Sequence, residues 1–88
     1  MAPRRKDDVS RRLGRIEGQV RGLARMVEED KYCVDIMIQV AAAKSALNKV
    51  GLIVMEGHAH GCLIEAIKRD EGAKAVEELM DVIRQYVK

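Results

Sequence analysis

The chain has 88 residues, so it holds one domain at most, and a monomer of this size buries little surface unless it associates. Its aromatic residues are two tyrosines, which argues against a module that stacks nucleic-acid bases on several aromatic rings. The net charge of +2 conceals a basic first part. Residues 1–25 carry eight Lys or Arg against three Asp or Glu, and residues 26–88 carry eight against eleven. The imbalance indicates either a polyanionic partner or a solubilising tail.

The first predicted helix follows a basic, flexible tail over residues 1–6, starts at Asp7, Asp8 or Ser10, and ends near Glu29. Its apolar residues, alternately three and four positions apart, are Leu13, Ile16, Val20, Leu23 and Val27. This spacing is typical of the seam of a helical bundle. The opposite face interleaves arginines (Arg11, Arg15, Arg21 and Arg25) with glycines (Gly14, Gly18 and Gly22). Each glycine lowers helix stability by about 1 kcal/mol relative to alanine. Close approach of a sugar-phosphate chain or of another helix would offset this loss.

The second predicted helix runs from Cys33 to about Arg69, after a break at residues 29–32. Residues 34–55 are apolar on most sides, so this helix should be buried nearly all round. A helix of this length extends ~54 Å, more than two shorter helices can cover. We therefore expect it to pack against its copy in an obligate oligomer. A second break at residues 69–72 precedes a third helix from Ala73 to Tyr86.

Both histidines and one of the two cysteines lie between positions 58 and 62. His58 and Cys62 are four residues apart and share a helix face, whereas His60 points away and is interpreted as a surface residue. Cys33 lies ~37 Å from His58 along one helix, but it can reach His58 and Cys62 of an antiparallel copy. Two thiolates and one imidazole suit Cu(I). Zn²⁺ would need water or His60 as a fourth ligand, and ordinary core or surface roles are the simpler alternative.

Several other classes of protein are not favoured. We find no secretion leader and no apolar run of the ~18 residues that suggest a membrane span, so we expect a cytoplasmic protein that does not enter the membrane. The phosphate-loop and dinucleotide-binding fingerprints are absent from the sequence. Cys33 and His58 could resemble a nucleophile and its base, but no third orienting group accompanies them. We therefore do not expect an enzyme.

Residues 12–47, RLGRIEGQVRGLARMVEEDKYCVDIMIQVAAAKSAL, resemble the copper-sensitive operon repressors and their nickel- and formaldehyde-sensing relatives, the CsoR/RcnR family. The likeness extends over nearly the whole chain and implies a single metal-sensing, DNA-binding domain over residues 1–88. It implies an all-α fold, in which a three-helix protomer forms an antiparallel helical dimer that pairs into a flat homotetramer without a helix-turn-helix. It also implies that the metal-free tetramer represses by binding operator DNA and that an effector releases it.

The resemblance assigns roles to individual residues. Its copper branch implies Cu(I) ligation by Cys33 of one chain with His58 and Cys62 of the partner chain. Tyr32 and Glu78 correspond to residues that orient the ligating imidazole. The implied DNA-contacting residues are Arg12, Arg15 and Lys49, with further phosphate contacts from Arg4, Arg5 and Lys6. We expect mostly phosphate contacts and shape readout, and therefore strong salt dependence.

Other branches of the family match less well. Its nickel and cobalt sensors have an early histidine and a histidine in place of Cys62, and its formaldehyde sensors have an N-terminal proline, whereas here Ala2 precedes Pro3. The sequence thus favours a Cu(I)-responsive repressor of a copper-homeostasis operon. A thiol- or persulfide-responsive repressor that uses Cys33 and Cys62 is one alternative. A cytosolic metal-storage bundle that does not bind DNA is the other.

Overall fold

The structure, a computed structural model, describes residues 2–86, which form a series of helices. They are α1 (Pro3–Glu28), α2 (Cys33–His58), a π-helical turn (Ala59–Leu63), α3 (Ile64–Lys68) and α4 (Gly72–Tyr86). The segment from α2 through the π turn to α3 is one continuous helix of 36 residues. The described residues thus form three helical rods and contain no strand, which confirms the predicted all-α, three-helix protomer.

α1 begins earlier than the sequence predicts. Pro3 stands in its first turn, where the missing N–H needs no intrahelical partner and the fixed φ angle suits a helix. The expected flexible tail over residues 1–6 is therefore helical from Pro3 onward, and Met1 lies outside the described residues. As a result, Arg4, Arg5 and Lys6 lie on the helix rather than ahead of it.

The breaks after α1 and α3 have the same backbone geometry. Asp30 adopts a left-handed conformation with φ 52°, its N–H donates to Val27 O at 3.2 Å, and Lys31 N–H donates to Met26 O at 3.0 Å. These two bonds form a Schellman motif, which satisfies carbonyls at the end of the helix. The second break repeats the motif around Asp70, whose φ is 61°. Both turns that the sequence predicts are therefore short and tightly bonded.

Replacing Asp30 with glycine should stabilise the protein by about 0.5–1 kcal/mol, because glycine adopts the left-handed conformation without a steric penalty. Thermal unfolding at a fixed protein concentration measures the effect. The matched control is Glu29→Gly, since Glu29 has φ −86° and gains nothing from glycine there. An unchanged or lower midpoint for Asp30→Gly would contradict this account of the turn.

The core of the protomer lies between α1 and α2. The two helices are antiparallel, because Arg5 near the start of α1 contacts Ile53 near the end of α2. Val9, Ile16 and Val50 are buried at their interface, with Ala46 and Ile53 packed against them. The apolar spacing predicted for α1 is therefore used in packing, but only in part.

The predicted apolar seam of α1 divides into two lines. Ile16 is buried and Leu23 is half-buried against α2. In contrast, Leu13, Val20 and Val27, each seven residues from the next, are 43%, 51% and 59% exposed. This second line has no partner within the protomer, so α1 presents a heptad-spaced apolar edge to its surroundings.

The protomer is flat. Its extents are 55 × 29 × 14 Å, and its radius of gyration is 17.1 Å, against about 12 Å for a compact domain of this length. A slab one or two helices thick cannot enclose a core on both sides. The large apolar residues that α2 leaves exposed are Val34, Met37, Ile38, Val40, Leu47, Leu52 and Val54. This surface agrees with the expectation that α2 packs against another chain.

The continuous helix Cys33–Lys68 also passes a test of length and composition for a membrane span. Its most apolar 18-residue window has a mean hydropathy of 1.3, and 11% of that window is buried. The sequence-based expectation that no segment is long and apolar enough is thereby corrected. Core helices of soluble proteins share this length and composition. The same apolar surface is equally suited to burial against a second protomer.

Candidate metal centre and nucleic-acid interface

α4 folds back beside α2 and forms an open, mostly apolar groove of about 510 Å³ with it. Gly51 provides the space for this packing, because a Cβ atom at that position would lie 2.8 Å from Tyr86 Cε1. The groove is lined by Leu47, Val50, Gly51, Val54, Met55, His58, Glu78, Leu79, Val82 and Tyr86. The groove therefore contains one imidazole and one carboxylate among mostly apolar residues.

His58 and Glu78 come from different helices and line this same groove. His58 ends α2 and is half-buried, whereas Glu78 lies in the middle of α4. A carboxylate near a ligating imidazole can fix its tautomer and orientation. Glu78 is exposed and lines the same groove as His58, and its predicted supporting role stays a prediction.

Cys62 lies beyond His58, inside the π turn. A π turn forms i→i+5 hydrogen bonds, so it changes the relative direction of residues four positions apart from that in a regular α-helix. Such turns occur frequently at functional sites. Cys62 and His60 are both exposed, so the thiol is accessible to a ligand or to a partner chain.

Cys33 begins α2 at the end opposite to His58 and Cys62. The separation along the helix is ~37 Å for Cys33 and His58, so these residues do not meet within one protomer. Within residues 2–86, no group of three or more His, Cys, Asp or Glu is close enough to hold a metal ion. Tyr32, directly before Cys33, is 69% exposed. One chain therefore carries two separate parts of the predicted site, at opposite ends of α2.

The basic residues predicted to contact DNA lie mostly on the surface. Arg15 and Lys49 are exposed, and Arg12 is half-buried with its Nε 3.1 Å from Asp8 Oδ1. Arg4 and Lys6 are also exposed. The ion pair between Arg12 and Asp8 lies near the surface, so its net contribution to stability is small. It leaves the rest of the Arg12 guanidinium available for other contacts.

Arg5 differs from the other basic residues because its side chain lies against α2. Its Nη1 donates a hydrogen bond to Ile53 O at 3.1 Å. It also lines a shallow cleft with Arg4, Arg11, Asp8 and Glu56. Arg11 was not among the predicted DNA-contacting residues, although its spacing of seven residues from Arg4 indicates that the two share a helix face.

The three glycines of the basic face of α1 are open. A Cβ atom at Gly14, Gly18 or Gly22 would have nothing within 4 Å. Packing against another helix of the same protomer therefore does not account for them. Close approach of another molecule, either nucleic acid or a second chain, would account for the three glycines.

Residues 5–85 match the family described as "Metal-sensitive transcriptional repressor", and the chain belongs to this family. The family consists of transcriptional repressors, which agrees with the expectation that the protein is not an enzyme.

Several relatives carry names that specify a metal. The chain is 49% identical over 83 residues to the copper-sensing transcriptional repressor CsoR of Bacillus subtilis (strain 168), covering 94% of this chain and 82% of that protein. It is 50% identical over 62 residues to the copper-sensing transcriptional repressor RicR of Mycobacterium tuberculosis (strain ATCC 25618 / H37Rv), covering 70% of this chain and 65% of RicR. The sequence resemblance to the copper-sensitive repressors is thereby confirmed.

Solved structures of metal-responsive regulators also match this chain. The fold matches the copper-sensing repressor CsoR with Cu(I) from Geobacillus thermodenitrificans NG80-2, with a TM-score of 0.92 and 43% identity over 100% of this chain and 92% of that one. The nickel-responsive transcriptional regulator InrS matches with a TM-score of 0.74 and 31% identity over 91% of this chain and 90% of that one. The Cu(I)-containing structure is thus nearer in both fold and sequence than the nickel-responsive regulator.

Proposed function

We propose that the protein is a Cu(I)-responsive transcriptional repressor. In this proposal the metal-free homotetramer binds the operator DNA of a copper-homeostasis operon in the cytoplasm, and Cu(I) binding releases it. The observation that carries the proposal is the distribution of thiol and imidazole donors along the continuous helix Cys33–Lys68. His58 shares a groove with Glu78 and is followed by Cys62, while Cys33 lies at the opposite end of the same helix.

The donor set determines which metal the site would prefer. Cys33, Cys62 and His58 would supply two thiolates and one imidazole, which suit Cu(I) better than the hard cations that require oxygen ligands. Both thiols are free and exposed, so no disulfide or packing has to be broken before they bind a metal. Tyr32 and Glu78 would orient the ligands from either side of the site.

The apolar surface of α2 supports the proposal of a shared site. Cys33, Met37, Val40, Leu47, Val54 and His58 recur at heptad-like spacing along this helix. Met37 is 66% exposed and Leu47 is 48% exposed, so the line between the two ends of the proposed site stays largely accessible in the protomer, although α4 lies beside its His58 end. An antiparallel copy packed along this line brings Cys33 of one chain opposite His58 and Cys62 of the other. Two-fold symmetry then gives two equivalent sites in each dimer.

Release of DNA requires a coupling free energy between the metal site and the basic surface, typically ~1–3 kcal/mol. α2 joins the two ends of the proposed metal site and carries Lys49. α1, which carries Arg12 and Arg15, packs along α2 through Ile16 and Val50. A change in α2 on metal binding therefore reaches the DNA-contacting residues through a packed helix pair rather than through direct contact.

A second candidate function uses the same fold and the same cysteines. Cys33 and Cys62 are both exposed and free. In a thiol- or persulfide-responsive repressor, polysulfide would oxidise one of these thiols to a persulfide. The other thiol, from the partner chain, would then attack the persulfide to form a disulfide and release hydrosulfide. His58 would have no role in that chemistry. Mass spectrometry after polysulfide treatment detects such a link as a covalent dimer.

An anaerobic Cu(I) titration tests the proposed function. We expect one Cu(I) per protomer against a competing chelator, and X-ray absorption that reports two sulfur ligands and one nitrogen ligand. A parallel sample with labelled operator DNA should lose the DNA as the sites fill. Two-coordinate binding with DNA retained would favour the thiol-responsive candidate instead.

Glu78→Gln should weaken Cu(I) binding and the Cu(I)-dependent release of operator DNA, and it should leave DNA binding by the metal-free protein unchanged. The carboxamide keeps the shape of the side chain but no longer offers a charged acceptor to His58, and losses of this kind cost ~10–100-fold in metal affinity or activity. The readout is the ratio of operator Kd values with and without Cu(I). Glu77→Gln is the matched control, since Glu77 is exposed and does not line the groove. Equal effects of the two variants would contradict the assigned role of Glu78.

A further inference from the structure

Arg5 makes a long-range contact that joins the start of α1 to the end of α2. Its Nη1 donates to Ile53 O at 3.1 Å, across 48 positions in sequence. Its aliphatic part lies on Gly57, where a Cβ atom would come within 2.7 Å of Arg5 Cδ and 3.2 Å of Nε. Within residues 2–86, this is the side-chain hydrogen bond that connects α1 with α2.

The contact lies directly before the proposed metal site. In a regular helix the Ile53 carbonyl accepts the N–H of Gly57, so Arg5 touches both residues of the helical turn that leads into His58. The π turn that contains Cys62 begins immediately after His58. Gly57 is the residue that allows the guanidinium stem to lie this close, because any side chain there would occupy the same space.

At its other end, Arg5 belongs to the basic surface. It lies between Arg4 and Lys6 in the first turns of α1, and it shares a cleft with Arg4 and Arg11. The backbone of Arg5 therefore lies among the predicted phosphate contacts, whereas its guanidinium contacts the helix that ends in His58. The core around Val9 and Val50 joins the two helices by apolar packing further from His58, and the groove of Glu78 joins α2 to α4.

We propose that Arg5 is a positioning residue that couples the His58 end of α2 to the basic N-terminal turns of α1. The inference rests on the proposed function and specifies how its two sites communicate. While the guanidinium is held on Ile53 and Gly57, a movement of the turn before His58 shifts Arg4 and Lys6 with it. Without the contact, apolar packing still holds the helices together, but the turn before His58 is less firmly tied to Arg4 and Lys6, and metal binding has less effect on DNA affinity.

Two substitutions remove the contact in different ways. Arg5→Ala removes the guanidinium and its charge, whereas Gly57→Ala displaces the flexible end of Arg5 but leaves the charge on α1. We expect each to lower the ratio of operator Kd values with and without Cu(I) by about 2- to 30-fold, the range for residues along a coupling network. The double variant should lose no more than either single variant, because both remove one interaction.

Two controls separate this role from simpler ones. Gly61→Ala adds the same methyl group to the same segment, where nothing lies within 4 Å, and should leave the ratio unchanged. Arg4→Ala removes a neighbouring exposed charge and should weaken DNA binding equally with and without Cu(I). If Arg5→Ala behaves like Arg4→Ala, with an unchanged ratio and a salt slope smaller by about 1, Arg5 is only a phosphate contact and the inference is overturned.

Amide hydrogen exchange of the metal-free protein provides a readout that does not depend on Cu(I). Arg5→Ala and Gly57→Ala should both increase exchange over residues 57–62, and Gly61→Ala provides the reference for an added methyl group. If the Arg5→Ala protein exchanges its amide hydrogens over residues 57–62 at the wild-type rate, the inference is overturned, even when Cu(I) releases the wild-type protein from DNA. Failure of Cu(I) to release the wild-type protein would instead overturn the proposed function, and the coupling with it.

Discussion

Cys33→Ala should abolish the release of operator DNA by Cu(I) and leave binding of DNA by the metal-free protein intact. In the proposed site, the substitution removes one of two thiolates from a three-donor set, in which His58 and Cys62 would come from the other chain. We expect Cu(I) affinity to fall by more than ~100-fold, beyond the loss caused by removing a residue that only supports a ligand. Chelator competition measures the metal affinity, and fluorescence anisotropy of labelled operator measures DNA binding.

The fold should tolerate this substitution. Cys33 is exposed at the start of α2 and packs into no core, so a shortened side chain leaves no cavity within the protomer. Cys62→Ala should give the same result, because it removes the second thiolate. His60→Ala should behave as the wild type, since His60 is exposed and is predicted not to bind the metal. Release of DNA by Cu(I) from the Cys33→Ala protein would show that the assigned site is incorrect.

A mixed oligomer tests whether the site is shared between chains. Neither Cys33→Ala nor Cys62→Ala alone can build a complete site, whatever the arrangement. When the two variants are co-expressed, a mixed dimer joins the intact Cys33 of one chain to the intact Cys62 of the other. Recovery of one Cu(I) per mixed dimer is expected for a shared site. A site within one chain would give no recovery at all.

The sequence predicted the helices well because their signals are local. Apolar spacing identified α1, and the apolar composition of residues 34–55 identified α2 and its need for a partner. The two breaks were also placed correctly, although the Schellman motifs around Asp30 and Asp70 were not predicted. Aspartate is an uncommon residue in this conformation, where glycine or asparagine is the usual signal.

Other features depend on tertiary packing and were therefore not predictable from spacing. Leu13, Val20 and Ile16 belong to one apolar seam, yet only Ile16 is buried in the protomer, because the position of α2 decides which line is covered. The π turn at Ala59–Leu63 has no sequence signal that distinguishes it from a regular helix. It changes the geometry of the His58 and Cys62 pair, which the sequence interpretation treated as neighbours on one face.

The candidate site was only partly accessible to reasoning from the residues. The spacing of Cys33, His58 and Cys62 predicted a site between antiparallel chains, while the role of Glu78 came from family resemblance alone. The contact of Arg5 with Ile53 could not be predicted, because it needs α1 to begin at Pro3 and Gly57 to leave room for the side chain. A long-range contact of this kind depends on the register of two helices rather than on any local pattern.

Arg15→Ala should weaken operator binding and leave Cu(I) affinity unchanged. Arg15 is exposed on α1 beside the open positions of Gly14 and Gly18, where nothing in the protomer obstructs the approach of a phosphate chain. Each phosphate contact that is lost should reduce the dependence of binding on salt by about 1 in the logarithmic slope. Because an oligomer presents several copies of Arg15 to one operator, the total loss should exceed that of a single contact.

Titrations of labelled operator at several salt concentrations measure both the affinity and the slope. Arg84→Ala is the matched control, because Arg84 is an exposed arginine that pairs with Asp81 on α4, away from the basic surface of α1. It removes the same charge from each protomer, so a general electrostatic effect would appear equally in both variants. A larger loss of affinity and slope for Arg15→Ala would assign the DNA contact to α1. Equal losses would show that net charge alone drives binding, and that the glycine-lined arginine face is not the DNA-binding surface.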